Sequence, residues 1–171
     1  MVVWLTGLSG AGKTTLATAL VGKLKQNRRN VILLDGDGVR ACFGDDLGHA
    51  EADRRKQIMR VQRLARFLSE QEMLVVVAVV YSNPEQLAWN REKIRGYLEC
   101  YLRVSLKTVK DRDAKGLYAK AEKAETANTV GIDIPWHEPV APDLVFDLDN
   151  PVSPEQMADY IIERIPVAPA K

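Results

Sequence analysis

The sequence is poor in the residues that cross-link small proteins or hold metal ions. It has two cysteines, Cys42 and Cys100, without C-x-x-C spacing, and two histidines among 171 residues. These numbers exclude a disulfide framework and argue against a cysteine-histidine metal site. Two unpaired thiols are typical of a reducing compartment, so we expect a cytoplasmic protein.

Long apolar runs and charge of a single sign are also missing. The longest apolar stretch, 73–81, is less than half as long as the roughly 20 residues that a membrane helix needs. The amino terminus leads into a strand-like segment with no basic stretch or cleavage site, which predicts no signal peptide. The net charge is +1, so no general field draws the protein to nucleic acid or to an acidic membrane surface.

The composition that remains is typical of a globular domain. Apolar residues make up 46% and charged residues 27% of the chain, which excludes collagen-like, disordered and coiled-coil proteins. A chain of this length fits one domain, and we expect a single domain over 1–171.

Apolar patterns alternate between strand-like and helix-like segments. Strands are predicted at 2–6, 30–34, 73–80, 99–105 and 144–147, the third one buried on both faces. Helices are predicted at 13–27, 53–71, 84–98, 106–113 and 154–164. This alternation predicts a three-layer α/β domain with a mainly parallel sheet flanked by helices.

The most specific motif follows the first predicted strand. Residues 7–14 match the phosphate-loop pattern G-x-x-x-x-G-K-[ST] at each fixed position, and a predicted helix follows. Its glycines let backbone N–H groups converge on phosphate oxygens, and the helix N-terminus favours an anion. Lys13 is expected to reach the β- and γ-phosphates, and the Thr14 hydroxyl to bind Mg²⁺. The ATP-binding residues predicted in this P-loop are Gly7, Leu8, Ser9, Gly10, Ala11, Gly12, Lys13, Thr14 and Thr15.

Two carboxylates follow the second predicted strand. Asp35 and Asp37 stand where an α/β sheet binds its ligands, beyond the carboxyl end of a strand. One can orient Mg²⁺ and the other can accept a hydroxyl proton, so we assign Asp35 to the metal and favour Asp37 as the base. A solvated Asp-Gly turn is the alternative. With Lys13, these aspartates are the predicted catalytic residues.

Motifs of other nucleotide-binding classes are missing from the sequence. It contains neither an N-K-x-D guanine motif nor an apolar strand that runs into a clear Walker B aspartate. This favours a small-molecule kinase over a GTPase or a mechanical ATPase. Farther along, Arg112 and Lys115 could close over the transferred phosphoryl group. The segment 114–127 is either a solvated helix or a mobile lid, and we predict a lid over 112–130.

Five segments together resemble the adenylylsulfate kinase family. They are GLSGAGKTT at 7–15, LLDGDGVR at 33–40, DLGHAEADRR at 46–55, RDAKGLYAKA at 112–121 and VGID at 130–133. The resemblance covers about residues 2–148. That family transfers the γ-phosphate of ATP to the 3′-hydroxyl of adenosine 5′-phosphosulfate. The resemblance therefore implies ATP and Mg²⁺ as cofactors, a role in sulfate assimilation and a homodimer.

The family's site residues can be carried over by position. Arg40 and Arg54 match arginines that hold the phosphosulfate, and Arg112 and Lys115 match lid cations near the ATP phosphates. Ser82 stands near the family's Ser-Pro turn. The resemblance implies that the acceptor-binding residues are Asp37, Arg40, His49, Arg54, Gln57, Ser82, Thr129, Gly131 and Ile132.

The departures from the family pattern cluster around the acceptor base. His49 and Thr129 stand where the family has aromatic side chains that stack on adenine, and stacking contributes about 1–3 kcal/mol per base. Another nucleotide acceptor, such as a cytidine diphosphoramidate capsule precursor, is therefore the alternative substrate. A nucleotide-binding module without turnover is a third hypothesis, against which Lys13, Asp35 and Asp37 argue.

Overall fold

The computed structural model describes residues 1–27, 30–44, 46–80, 83–113, 116–123, 127–150 and 152–166. Within these ranges the strands are β1 Val2–Thr6, β2 Val31–Asp35, β3 Leu74–Val79, β4 Tyr97–Arg103 and β5 Leu144–Asp147. The helices are α1 Lys13–Asn27, α2 Gly36–Cys42, α3 Glu51–Glu70, α4 Pro84–Lys93, α5 Leu106–Arg112, α6 Leu117–Glu122 and α7 Pro154–Ile162.

The five described strands form one parallel sheet in the order β2-β3-β1-β4-β5. From β1 to β2 the chain moves across the sheet in one direction, and from β2 to β3 it moves back in the other direction. Right-handed crossovers therefore place α1 and α3 on opposite faces. Helix α1 packs against α7, whereas α3 packs against α4. The predicted three-layer α/β fold is confirmed.

The central strands form the core because helices cover both of their faces. Every residue of β1 and β3 is buried, as expected of strands inside a parallel sheet. Helix α1 adds Leu16, Leu20 and Leu24 to the same core. These side chains recur every four residues and therefore lie on one face of the helix.

The predicted helix 84–98 is wrong over its last residues. Helix α4 ends at Lys93, and Ile94 then turns its side chain into the core. Gly96 has a φ of 70°, a left-handed conformation that glycine adopts without strain. Strand β4 begins directly after it, at Tyr97. Apolar periodicity alone does not separate such a short strand from a helical continuation.

Helix α2 lies between the predicted strand 30–34 and the predicted helix 53–71, a stretch for which the sequence predicted no helix. Gly36 and Gly38 disfavour a helix. The carboxylate of Asp35 compensates by accepting hydrogen bonds from the N–H groups of Asp37 and Gly38. Asp37 consequently lies in the first turn of a helix.

No helix in the described part of the chain is long and apolar enough to cross a membrane. The single-domain organisation and the lid over 112–130 stay predictions.

Candidate active site

The phosphate-binding loop connects β1 to α1 and closes on its own backbone. The Lys13 ammonium donates to the Leu8 carbonyl at 2.7 Å, and the Ala11 N–H donates to the same oxygen at 3.2 Å. Lys13 is only 7% exposed. A Cβ on Gly7 would lie 2.6 Å from the Leu102 carbonyl oxygen, so only glycine fits at the start of the loop. The lysine is thus held where the loop turns into α1.

Thr14 and Asp35 bring the first two βα connections together. The Thr14 hydroxyl donates to Asp35 Oδ2 at 2.9 Å. Asp35 Oδ1 accepts from the N–H groups of Asp37 and Gly38 at 3.1 and 3.3 Å. Both oxygens of one carboxylate therefore fix the start of α2 relative to the start of α1.

This oxygen pair fits a magnesium ion in chemical type. Mg²⁺ takes oxygen ligands and usually binds through one or two carboxylates together with substrate phosphates. The described residues contain no group of three or more His, Cys, Asp or Glu side chains that could hold a metal ion. Thr14, Asp35 and the phosphates of a bound nucleotide would therefore form such a site.

Gln57 supports the connection between the two predicted catalytic carboxylates. Its side chain is 5% exposed and donates to the Gly36 carbonyl at 3.1 Å. Its side-chain oxygen Oε1 accepts a hydrogen bond from Arg60 Nη1 at 3.1 Å. Asp37 is exposed at the edge of this arrangement. Gln57 thus braces the backbone beside Asp37 from α3.

Arg40 reaches from α2 to the loop that precedes α3. Its Nη1 donates to the carbonyls of Leu47 and Gly48 at 2.7 and 2.9 Å. Gly48 in turn donates its N–H to Asp53 at 3.0 Å. Arg40 therefore holds the loop on which His49 stands.

Arg54 connects the two segments that carry the predicted stacking positions, His49 and Thr129. Its Nε donates to the His49 carbonyl at 2.9 Å, and its Nη2 donates to the Asn128 carbonyl at 2.6 Å. His49 is exposed, whereas Thr129 is 2% exposed. One guanidinium thus fixes both walls of the predicted acceptor-base pocket.

The segment 127–134 is a tight turn held by Asp133. Its carboxylate accepts from the N–H groups of Asn128 and Thr129. Burial alone would raise the pKa of Asp133, but these bonds and nearby Arg54 hold the pKa below its usual value. The Thr129 carbonyl accepts N–H groups from 132, 133 and 134. The turn buries Thr129 and leaves Ile132 exposed.

Gly131 places the same turn against the phosphate loop. Its φ is 92°, and a Cβ there would lie 3.3 Å from a methyl group of Leu8 and from one of Leu106. A side chain at 131 would therefore be strained and crowded. The predicted acceptor segment and the P-loop are in direct contact.

Arg112 is exposed at the end of α5, and its Nη2 donates to the Leu148 carbonyl at 3.0 Å. Two other predicted site residues, the lid cation Lys115 and the Ser-Pro turn residue Ser82, lie outside the described residues.

The sequence motifs assign no role to Asp113, whose carboxylate accepts hydrogen bonds from the N–H groups of Tyr118 and Ala119. The only signal for it was its place in the RDAKGLY motif.

A phosphate loop between β1 and α1, with an aspartate at the end of the neighbouring β2, defines the class of P-loop kinases. The adenylylsulphate kinase family model matches residues 1–147. The chain therefore belongs to the adenylylsulfate kinase family, whose members are ATP-dependent kinases.

Individual relatives support this assignment over nearly the whole chain. The adenylyl-sulfate kinase of Bacillus pumilus is 36% identical over 168 residues, covering 95% of this chain and 85% of that protein. The cytidine diphosphoramidate kinase of Campylobacter jejuni is 38% identical over 167 residues, covering 96% and 95%. The Mycobacterium tuberculosis adenylylsulfate kinase, solved with AMPPNP and adenylylsulfate, superposes with a TM-score of 0.87 at 34% identity, covering 95% of both chains.

Proposed function

We propose that this protein transfers the γ-phosphate of ATP to the 3′-hydroxyl of adenosine 5′-phosphosulfate. The observation that carries the proposal is the hydrogen bond between Thr14 and Asp35, which joins the phosphate loop to the first carboxylate of the DGD segment. A relative that shares nearly the whole length and acts on this acceptor supports the choice of substrate.

On the ATP side, the P-loop N–H groups and Lys13 bind the phosphates. Thr14 and Asp35 would hold Mg²⁺, which neutralises charge on the phosphate oxygens when it is bound. Positioning and charge stabilisation are the main contributions to phosphoryl transfer, since little covalent chemistry is left to the protein. Arg112 and Lys115 add positive charge from the lid.

On the acceptor side, Asp37 receives the proton of the attacking hydroxyl. The hydroxyl oxygen forms a bond to the γ-phosphorus, the bond from that phosphorus to the β-phosphate oxygen breaks, and ADP leaves. Asp37 lies in the first turn of α2, one turn before Arg40 on the same helix. The carboxylate and the cation therefore approach the acceptor from one helix.

Arg40 and Arg54 bind the anionic part of the acceptor, and His49, Gln57, Ser82, Thr129, Gly131 and Ile132 complete its pocket. The two guanidiniums hold the backbone of the pocket walls, so the anion and the walls depend on the same two side chains. A planar guanidinium suits this double task because its five N–H donors point in fixed directions.

An acceptor screen tests the proposal. Purified protein with Mg²⁺-ATP is given adenosine 5′-phosphosulfate, cytidine diphosphoramidate or a plain nucleoside monophosphate, and ADP release and the phosphorylated product are measured. Turnover with adenosine 5′-phosphosulfate above the other acceptors is expected. Turnover with cytidine diphosphoramidate alone would transfer the assignment to that acceptor. ATP binding without ADP release from any acceptor would indicate a module without turnover.

We also propose a homodimer, as the family resemblance implies, and a cytoplasmic role in sulfate assimilation. The exposed Cys42 thiol and the single buried thiol of Cys100 suit a reducing compartment. Light scattering at micromolar concentration tests the dimer.

A further inference from the structure

A tyrosine from α6 contacts the phosphate loop. The Tyr118 hydroxyl donates to the Ser9 carbonyl at 3.0 Å, although the two residues are 109 positions apart. The side chain is 2% exposed. Burial, helped by the negative charge of Asp113, raises the pKa of Tyr118 to about 12, so the hydroxyl keeps its proton at neutral pH.

Peptide geometry connects this bond to the phosphate site. The Ser9 carbonyl belongs to the same planar trans peptide as the Gly10 N–H, and in such a peptide the two groups point in opposite directions. A bond that fixes the direction of the Ser9 carbonyl therefore also fixes the direction of the Gly10 N–H. Backbone N–H groups of this loop are the groups that bind phosphate.

The start of α6 is fixed in turn by Asp113. Its carboxylate accepts from the N–H of Tyr118 at 3.2 Å and from the N–H of Ala119 at 2.9 Å. The bond from Ala119, followed by that from Tyr118, keeps the pKa of Asp113 below its usual value despite some desolvation. Asp113, Tyr118 and the Ser9 carbonyl therefore form one chain of hydrogen bonds that runs from the end of α5 through the start of α6 to the phosphate loop.

We propose that Tyr118 is a positioning residue that orients the Ser9–Gly10 peptide of the phosphate loop for ATP. Asp113 acts through Tyr118 by holding the first turn of α6. The inference rests on the proposed phosphoryl transfer, but it concerns the ATP half of the site alone. It deepens that function by connecting α6 to the phosphate loop.

Replacing Tyr118 by phenylalanine removes the hydroxyl and keeps the buried ring. The dissociation constant of a non-hydrolysable ATP analogue is measured by calorimetry without acceptor, together with the KM of each substrate and the thermal midpoint. Losing one hydrogen bond is expected to raise Kd and the KM for ATP roughly threefold to tenfold. The acceptor KM should stay within about twofold. Tyr160→Phe, on an exposed tyrosine of α7, removes the same atom and is the matched control.

Two variants at Asp113 test the second link. Asp113→Ala should weaken binding of the analogue as Tyr118→Phe does, whereas Asp113→Asn keeps an acceptor oxygen and should restore much of the affinity. The double variant Asp113→Ala with Tyr118→Phe should bind the analogue with nearly the same affinity as the single variant that binds it less tightly. The two effects should not add, because both substitutions act on the Ser9–Gly10 peptide.

An unchanged Kd in Tyr118→Phe would overturn the positioning role. So would equal losses for both substrates with a lowered thermal midpoint, which would indicate structural damage only. Because the analogue is bound without acceptor, an error in the acceptor assignment leaves this measurement intact. Failure of the Tyr118 proposal can therefore be distinguished from failure of the proposed acceptor.

Discussion

Thr14 and Asp35 are hydrogen-bonded at 2.9 Å and belong to the first two βα connections of the sheet. The bond brings a hydroxyl of the phosphate loop to the carboxylate that also caps α2. One aspartate thereby sets the distance between the ATP site and the helix that bears Asp37 and Arg40. The two halves of the proposed reaction meet at this residue.

Lys13→Ala is expected to nearly abolish turnover and to leave the fold intact. The ammonium, which donates to the Leu8 carbonyl, is the proposed side-chain cation on the β- and γ-phosphates, and charge stabilisation dominates this chemistry. Steady-state kcat and the thermal midpoint are the measurements, with Lys25→Ala on the exposed side of α1 as the control. A near-normal kcat would remove Lys13 from the active site.

Asp37→Asn should lower kcat at least about tenfold, equivalent to about 1.4 kcal/mol of barrier, and change ATP affinity much less. Asp35→Asn keeps an oxygen for the helix cap but loses charge at the proposed metal site. It should therefore raise the Mg²⁺ concentration required for half-maximal rate. Parallel kinetics over a magnesium series separate the two roles. If neither variant reaches a tenfold loss of kcat, the catalytic assignment of the pair is wrong.

The first βα unit could be predicted closely, whereas its contacts with the rest of the site could not. The strand β1 and the helix α1 have the predicted bounds because motif, apolar run and periodicity agree there. Helix α2 was missed because its stability comes from a cap at Asp35 rather than from its own propensity. The bond between Ser9 and Tyr118 is tertiary, and no local pattern encodes it.

The same limit applies to the arginines of the acceptor pocket. The motifs identify Arg40 and Arg54 as basic residues near an anion, but their bonds to backbone carbonyls depend on how the loops pack. The segment 114–127, interpreted as a solvated helix or a mobile lid, also contains a core residue that its composition did not reveal. Tyr118 in this segment is part of the buried core.

Arg54→Lys should raise the acceptor KM about tenfold or more and leave the KM for ATP nearly unchanged. Lysine keeps the charge but does not reproduce the planar fork that bridges the His49 and Asn128 carbonyls, and bonds from charged donors contribute about 1.5–3 kcal/mol each. The neighbouring Arg55→Lys is the control, since Arg55 forms an exposed ion pair with Glu85. Equal KM values for the acceptor in the two variants would contradict the bridging role.

Glu99 offers a test of pH-dependent stability away from the active site. It is buried on β4, where it accepts from the Tyr97 hydroxyl at 3.0 Å and from Arg91 at 3.4 Å. Burial raises the pKa of Glu99 above its usual value, although both donors oppose the shift. The folded state therefore binds this proton more tightly than the unfolded state.

The stabilising contribution of the protonated form is complete below the unfolded pKa, about 4.3, and is lost as pH rises through the folded pKa. Glutamine does not titrate, so the free energy of unfolding of the wild type should fall relative to that of Glu99→Gln as pH rises from the unfolded pKa through the folded pKa of Glu99. Urea unfolding at a series of pH values measures the difference, and Glu92→Gln, in an exposed pair with Lys93, is the control. A difference that does not vary with pH would contradict the raised pKa.

His49 and Thr129, the residues at the two predicted stacking positions, differ in how a ring could be introduced. His49 is exposed, so His49→Phe can place a ring in the base pocket without repacking. Thr129 is buried within the Asp133 turn, and overpacking such a site usually costs about 1–3 kcal/mol of stability. The thermal midpoint must therefore accompany any kinetic measurement on Thr129→Phe. The single and double variants are compared with both candidate acceptors.

If adenosine 5′-phosphosulfate is the natural acceptor, the pocket already binds adenine by other contacts, and the added rings should change its KM little. If the natural base is different, the rings should lower the KM for adenosine 5′-phosphosulfate. A gain of about 1–3 kcal/mol per stacked base corresponds to roughly 5- to 150-fold. The same rings would then fill the true base site and raise the KM of cytidine diphosphoramidate. We expect the first outcome. A fall of fivefold or more in His49→Phe with unchanged stability would overturn the acceptor assignment and leave the P-loop kinase mechanism in place.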